Sequence, residues 1–337
     1  MPTGKTVAIA GATGAVGREF LRVMEELQFP VKELKLLASK RSAGTILEFH
    51  NTPLKVEEMT PQSFRGVELA LFSAGSSVSK EYEKHVTGAG AIMIDNSSAF
   101  RLRENTPLVI PEINPEDVKH HQGVIANPNC STIIMLMGVY PLHRKYPVRH
   151  IVVSTYQAAS GAGWAAMEEL KESTRAALEG RDFTPQKMPY PYGFNLFSHN
   201  SKIDESGYNE EEKKMIQETR KILHNNHIGI SPTCIRVPVL RAHAEAIHME
   251  FQEKAPSEEE ARELYKSFPG VKVIDDRQNN YFPMPIEASG KFEILVGRIR
   301  QDSFLPQKAL NIFVVGDQLL KGAALNAVQI ARLLDEL

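Results

Sequence analysis

Four apolar residues, Val7-Ala8-Ile9-Ala10, run into Gly11-Ala12-Thr13-Gly14-Ala15-Val16-Gly17. Arg18-Glu19-Phe20-Leu21-Arg22-Val23-Met24 follows with helical spacing. A buried strand, a glycine-rich turn and a helix in that order form a phosphate cradle. Glycine lets the backbone approach a pyrophosphate, and the helix N-terminus supplies N–H donors. The spacing is G-x-x-G-x-x-G rather than G-x-G-x-x-G, so a tight turn that needs glycine only for steric reasons is the competing reading.

Leu34-Lys35-Leu36-Leu37-Ala38 reads as a second strand, ending at Ser39-Lys40-Arg41-Ser42-Ala43-Gly44. In an NAD site an acidic residue about 20 positions beyond the glycines holds the ribose 2′-hydroxyl. Here the strand end offers Ser39, Arg41 and Ser42 and no carboxylate. Cationic and hydroxyl groups suit a 2′-phosphate, which predicts NADP; an ordinary solvated basic loop is the alternative. Val67 to Phe72 and Ala91 to Asp95 are further strands, each followed by a small polar loop, Ser73 to Ser77 and Asn96 to Arg101. Ligands collect at such carboxyl edges of parallel sheets. Arg101 could clamp an anion there, although a lone arginine is more often a surface residue.

Asn127-Pro128-Asn129-Cys130-Ser131-Thr132 precedes Ile133-Ile134-Met135-Leu136-Met137-Gly138-Val139. The apolar run predicts a buried helix with Asn129 as its N-cap. Cys130 then occupies the first turn, where unpaired N–H groups and the dipole favour thiolate. A nucleophile and a small packed core residue are both consistent with that position.

Beyond it, His150 to Tyr156 is a strand leading into Gln157-Ala158-Ala159-Ser160-Gly161-Ala162-Gly163, with a helix from Trp164 to about Glu179. Arg181 to Tyr208, rich in Pro, Tyr, Phe and Asn, is too apolar for a free linker and reads as an interface loop. Glu210 to Ile216 opens a helix on which Glu211 and Lys214 share a face, in isolation a solvated ion pair. Ser231 to Gln252 is strand-like, with Arg236 and His243 flanking a kink at Pro238. Ser257 to Phe268 is an amphipathic helix, and Phe292 to Ile299 and Leu310 to Val315 are strands. Gly316-Asp317-Gln318 starts a final helix, Leu319 to Leu337, whose apolar stripe is expected to return to the first domain.

With 337 residues the chain can build about two cores. A net charge of −2 argues against nucleic-acid or membrane-surface binding by bulk charge. Two cysteines without paired spacing suit a reducing compartment. Met1 to Thr6 shows no secretory signal, and no apolar run is long enough to span a bilayer. A cytoplasmic globular protein without a metal site is expected.

Taken together, these motifs resemble the aspartate-β-semialdehyde dehydrogenases almost end to end. The resemblance is carried by Gly11 to Gly17, Ala38 to Gly44, Asn127 to Thr132, Gln157 to Gly163, Arg236 to His243 and Gly316 to Gln318. It implies NADPH-dependent reductive dephosphorylation of L-4-aspartyl phosphate to aspartate semialdehyde, on the route to lysine, methionine and threonine, in a homodimer. Carried over by position, Cys130 resembles the nucleophile that forms an acyl-thioester, His243 the general acid/base and Gln157 the residue that orients substrate. Arg236 resembles the ligand of the substrate α-carboxylate and Glu211 the partner of its α-amino group. Arg101 and Lys214 resemble the phosphate-binding pair. Gly11, Thr13, Gly14, Ala15, Val16, Arg41, Ser42, Ser160, Gly161 and Gln318 resemble NADP contacts. The expected fold is α/β: a Rossmann-type dinucleotide-binding domain, residues 1–128 plus 316–337, and an α+β catalytic and dimerisation domain with a mixed sheet, residues 129–315.

Rival readings differ at particular residues. An N-acetyl-γ-glutamyl-phosphate reductase should lack the Arg236/Glu211 pair and carry a different cysteine motif. A non-catalytic paralogue would most simply have lost Cys130 or His243. A short-chain reductase would need a Tyr-x-x-x-Lys pair, which neither Tyr140 to Arg144 nor Tyr156 to Ser160 supplies. Cys234, inside an apolar strand, is expected to pack.

Overall fold

The structure, a computed structural model, describes residues 4–335. Met1–Thr3, part of the segment read above for a leader, and Glu336 and Leu337, at the end of the expected terminal helix, lie outside the described residues. The chain divides into two compact units, residues 1–129 with 323–337, and residues 130–322.

In the first unit β1 (Lys5–Ala10) leads through the glycine turn into α1 (Ala15–Glu26), then β2 (Val31–Ala38). A hairpin, β3 (Ile46–Phe49) and β4 (Thr52–Lys55), and the short β5 (Glu57–Glu58) follow. Next come β6 (Leu69–Phe72), α2 (Ser76–Gly88), β7 (Ile92–Asp95) and β8 (Val124–Ala126). Six strands form one sheet in the order β5-β2-β1-β6-β7-β8, all parallel. Apolar runs such as Val7-Ala8-Ile9-Ala10 are fully buried, as expected where helices cover the sheet. One face holds Ala8, Ala10, Phe72, Met93 and Val124 beneath Val86 of α2. Ser76 and Ser77, expected in a polar loop, are the first residues of α2 instead.

The second unit opens with α3 (Cys130–His143), buried along nearly its whole length, as its all-round apolar sequence requires. It continues through β9 (Val148–Gln157), α4 (Trp164–Leu178), β10 (Phe197–Ser198), α5 (Glu210–Ile222), β11 (Gly229–Arg236) and β12 (His243–Phe251). Then come α6 (Glu258–Lys266), β13 (Val271–Val273), α7 (Pro285–Ala288), β14 (Ile294–Gln301) and β15 (Ala309–Gly316). These strands form a mixed seven-stranded sheet in the order β10-β11-β9-β12-β15-β14-β13. The segment expected to kink at Pro238 is a break between two strands: β11 ends at Arg236 and β12 begins at His243. Helix α3 lies on this sheet, and Gly138 sits so close that a Cβ there would meet Val314 at 2.7 Å.

The final segment departs from one continuous helix. Leu320–Ala324 is a π turn, and α8 (Leu325–Leu333) follows and packs on α1 and β7 of the first unit. The buried Asp317 carboxylate accepts from the N–H groups of Leu319 (3.0 Å) and Gly290 (2.6 Å) and pairs with Arg241. That ties residues 316–322 to the second unit.

Candidate active site

Four neighbouring strands of the second unit bring their chemistry to one edge. Arg236 at the end of β11 pairs with Gln157 at the end of β9. His243, one residue on from the Ala244–Tyr156 pair, begins β12 beside Gln157 and lies opposite Gly316 at the end of β15. Alternation along a strand turns Arg236, Gln157 and His243 to the face covered by α3 and α5, and all three are buried.

Cys130 is the first residue of α3 and is half-buried. Gly322 backs onto it closely enough that an added Cβ would lie 2.9 Å from Cys130 Cβ. The next residue, Ser131, accepts a hydrogen bond from Gln157 Nε2 at 2.7 Å. The same amide reaches Glu211 Oε1 at 3.3 Å. Gln157 therefore ties the cysteine's turn to the first turn of α5.

Glu211 is not the solvated partner that its sequence context suggested. Its side chain is buried, and Lys214 Nζ pairs with it at 3.2 Å. Helix α5 is fixed there by a reciprocal cap: Asn209 Oδ1 accepts from Glu212 N, and Glu212 Oε2 accepts from Asn209 N, each at 2.9 Å.

Arg236 donates from Nη1 to Ala158 O (3.3 Å), from Nε to Asn200 Oδ1 (3.4 Å) and from Nη2 to His199 Nε2 (2.9 Å). His243 accepts the Ala158 N–H at Nδ1, 3.0 Å. With Nδ1 occupied as acceptor, the neutral ring carries its proton on Nε2. Burial, and then the Arg236 charge, push His243 down to about 3, so the ring is neutral near pH 7. Gly161 is required against this pair: an added Cβ would meet His243 Cε1 at 2.9 Å and Arg236 Nη1 at 3.2 Å. Ser160 accepts from Gln318 Nε2, and Gln318 Oε1 accepts from Ala242 N at 3.0 Å. The structure thus gathers Cys130, Gln157, Ser160, Gly161, Glu211, Lys214, Arg236, His243 and Gln318 within the second unit.

The remaining expected residues belong to the first unit. Gly11 to Val16 form the turn before α1, whose first turn no side chain caps. Gly17 cannot be replaced there, because a Cβ would lie 2.2 Å from Gly11 O. Arg41 and Ser42 follow β2, Arg41 exposed. No carboxylate stands in that loop, but β5 brings Glu57 and Glu58 alongside Leu37 and Ala38. Arg101 is buried rather than on the surface, held by Asn127 O and Asn96 O at 2.9 Å each. Asn127 links the ends of β7 and β8 to α8 through Asn96 Oδ1 (2.6 Å) and Asn326 Nδ2 (2.7 Å). Nearby Asp95 is buried and its carboxyl raised by burial, against the hydroxyls of Ser79 and Ser97 and the Arg101 charge.

Ser131, His199, Asn200 and Ser201 were not singled out from the sequence. The three at 199–201 lie in an irregular stretch without periodicity. No sequence signal marks them; in the structure β10 and the His199 N–H, bonded to Cys234 O at 2.8 Å, extend that stretch along β11.

Two family models match the chain. Residues 6–121 match the NAD binding domain of semialdehyde dehydrogenases, and residues 139–321 match their dimerisation domain. An aspartate-semialdehyde dehydrogenase from Synechocystis sp. is 54% identical over 336 residues, covering 100% of this chain and 99% of the relative. One from Aquifex aeolicus is 51% identical over 335 residues, covering 98% of each. The crystal structure of aspartate semialdehyde dehydrogenase II from Vibrio cholerae superposes with a TM-score of 0.94 at 39% identity, covering 99% of both chains.

Proposed function

This chain belongs to the aspartate-semialdehyde dehydrogenase family, and from that premise we propose how its own residues carry the reaction. The enzyme converts L-4-aspartyl phosphate to L-aspartate 4-semialdehyde with loss of phosphate, in the biosynthesis of lysine, threonine and methionine. The observation that carries the residue assignment is the row Arg236–Gln157–His243 at adjacent strand ends, joined through Gln157 to the turn that Cys130 opens.

Cys130 Sγ attacks the acyl phosphate carbon, and the acyl–oxygen bond to phosphate breaks as the acyl–sulfur bond forms. The first turn of α3 favours the thiolate and supplies N–H donors for the developing oxyanion. A thiolate is both the stronger nucleophile at pH 7 and the better leaving group when compared with serine. Arg101 and Lys214 bind the phosphate group. Arg236 binds the substrate α-carboxylate and Glu211 its α-ammonium, so the two ends of the amino-acid headgroup are read separately. Gln157 orients the bound acyl group beside the sulfur. His243, neutral with its proton on Nε2, acts on the acid side of the reaction by donating a hydrogen bond from Nε2 to the substrate oxygen as negative charge develops there.

The first unit is a nicotinamide-dinucleotide-binding domain. The residues present fit that group: α1 opens at a glycine turn with no side chain capping its first N–H groups, which suits a pyrophosphate, and Gly17 lets that turn close on Gly11 O. Bound nicotinamide supplies the hydride that turns the thioester into the aldehyde. Gly11, Thr13, Gly14, Ala15 and Val16 hold the pyrophosphate, Ser160, Gly161 and Gln318 the nicotinamide end. Arg41 and Ser42 favour NADP over NAD, because the loop after β2 offers a cation and hydroxyls to a 2′-phosphate. The enzyme acts as a homodimer. The matched dimerisation domain supports this, as do Val152 and Tyr156, exposed on the sheet face opposite α3, and Tyr190, Phe194 and Leu196 in the 181–208 segment. A balanced charge and two free cysteines fit the cytoplasm.

The reverse reaction is the direct test. With aspartate semialdehyde, phosphate and NADP, the reduced cofactor should accumulate only when phosphate is present, and NAD should support a much lower kcat/KM. Phosphate-independent turnover would overturn the phosphorylating reaction, and an NAD preference would overturn the Arg41/Ser42 assignment.

A further inference from the structure

Arg236 and Glu211 sit on different elements, β11 and α5, yet must present a fixed spacing to one carbon bearing both an ammonium and a carboxylate. Between them runs a chain of contacts through the irregular segment before α5. His199 Nε2 lies 2.9 Å from Arg236 Nη2. A guanidinium has no lone pair to offer, so Nε2 accepts. In a neutral imidazole the proton then sits on Nδ1 and is offered to Ser201 Oγ, 3.0 Å away, while the Ser201 backbone N–H, directed at the same nitrogen from 3.2 Å, finds no lone pair there. Ser201 Oγ in turn accepts the Glu211 N–H at 3.3 Å. In that tautomer the side-chain links run in one sense: Arg236 donates to His199, His199 donates to Ser201 Oγ, and Ser201 Oγ receives the N-terminus of α5. The histidine itself is docked on β11 by its N–H to Cys234 O at 2.8 Å.

We infer that His199 and Ser201 form a positioning relay that sets the distance between the carboxylate-binding Arg236 and the ammonium-binding Glu211, and so tunes recognition of an α-amino-acid headgroup. This deepens the roles proposed above for Arg236 and Glu211 and rests on them. The relay works only with His199 neutral. Its surroundings keep it so: burial lowers it to about 4, with Arg236 and Lys214 acting in the same direction and Glu211 against them. Neither residue touches the reacting carbon, so loss of the relay weakens binding and leaves the chemical step nearly intact.

The test is steady-state kinetics with aspartate semialdehyde on His199→Ala, His199→Gln, Ser201→Ala, the His199→Ala/Ser201→Ala double variant and Arg236→Lys, each checked for folding by thermal melting. A hydrogen bond to a charged group is commonly worth one to two decades, so His199→Ala should raise KM about 10- to 100-fold with kcat changed by less than about threefold. Glutamine can accept from Arg236 and donate to Ser201, so His199→Gln should restore KM to within about threefold of the parent. The double variant should be no worse than His199→Ala, since both cut one relay. Unchanged KM in His199→Ala, no rescue by glutamine, or additive effects in the double variant would each overturn the relay. If His199→Ala fails to fold, the glutamine and Ser201→Ala variants decide, the relay requiring a near-parental KM in the first and a raised KM in the second. If Arg236→Lys itself leaves KM unchanged, the underlying assignment of Arg236 fails; if it raises KM and His199→Ala does not, only the relay fails.

Discussion

Ala158 carries only a methyl group, yet its peptide is gripped from both sides, its N–H by His243 Nδ1 and its carbonyl by Arg236 Nη1. This fixes the tautomer of one side chain and the orientation of the other without spending a side-chain hydrogen bond of Ala158 itself. A second buried residue of the row is less well served. Glu245 lies two residues after His243 and opposite Thr155, and neither of its carboxyl oxygens has a hydrogen-bond partner among the described residues. Burial raises the Glu245 carboxyl well above the ordinary range, and the charge of Glu211 adds to that. Native Glu245 therefore holds a proton that the unfolded chain releases. Its contribution to stability is complete below the unfolded value and is lost as pH rises toward the folded one. Glu245→Gln keeps the shape of the neutral acid and removes this penalty. It should melt roughly 2–4 °C higher than the parent at pH 8 and show a flatter dependence of Tm on pH above 5. A lower Tm at pH 8 would mean that the carboxyl is ionised and held by a partner.

Secondary-structure elements deliver these residues through their ends. Helix α5 has three acidic residues in its first turn, two of them buried, and the reciprocal cap with Asn209 fixes where the helix starts. Glu212 does double duty, since its Oε1 also accepts the Cys234 N–H of β11 at 3.0 Å. Asn209→Ala should therefore lower the unfolding free energy by ~1–2 kcal/mol in urea titrations, the upper part of the usual cap range. A cost below ~0.5 kcal/mol would show that packing alone sets this helix start. Much at this scale was legible in the sequence. The glycine turn, the apolar strands with polar carboxyl ends and the cysteine at a helix start are local signals, each with its own chemistry. What was hidden depends on distant partners. Glu211 and Lys214 read as a surface pair because spacing alone does not report that Gln157 and Ser201 bond to Glu211 and bury it. The π turn at Leu320–Ala324 comes just after Asp317, whose carboxylate is held by Gly290 and Arg241, distant partners that no periodicity encodes. His199 and Ser201 lie in a stretch whose composition says only that it is not a free linker.

At the scale of the whole chain, the sequence motif Asn127 to Thr132 spans the division between the two units. Asn127 is fixed within the parallel-sheet unit by Asn96, Asn326 and Asp95 O, and Cys130 opens the first helix of the other. The division falls at Asn129/Cys130 and Gly322/Ala323 instead of at 128 and 316, because Asp317 and Gln318 bond to residues of the second unit. The two cysteines separate cleanly by environment. Cys234 is buried with Sγ 3.6 Å from Met215 Sδ, and burial pushes its thiol upward, whereas Cys130 is half-buried at a helix start. The most direct measurement is peptide mass spectrometry after acid quenching of the protein mixed with aspartate semialdehyde and NADP in the absence of phosphate. An aspartyl adduct should appear on Cys130, disappear on addition of phosphate, persist in Cys234→Ser and be absent in Cys130→Ser. An adduct confined to Cys234, or phosphate-dependent turnover by Cys130→Ser, would contradict a covalent thioester at residue 130.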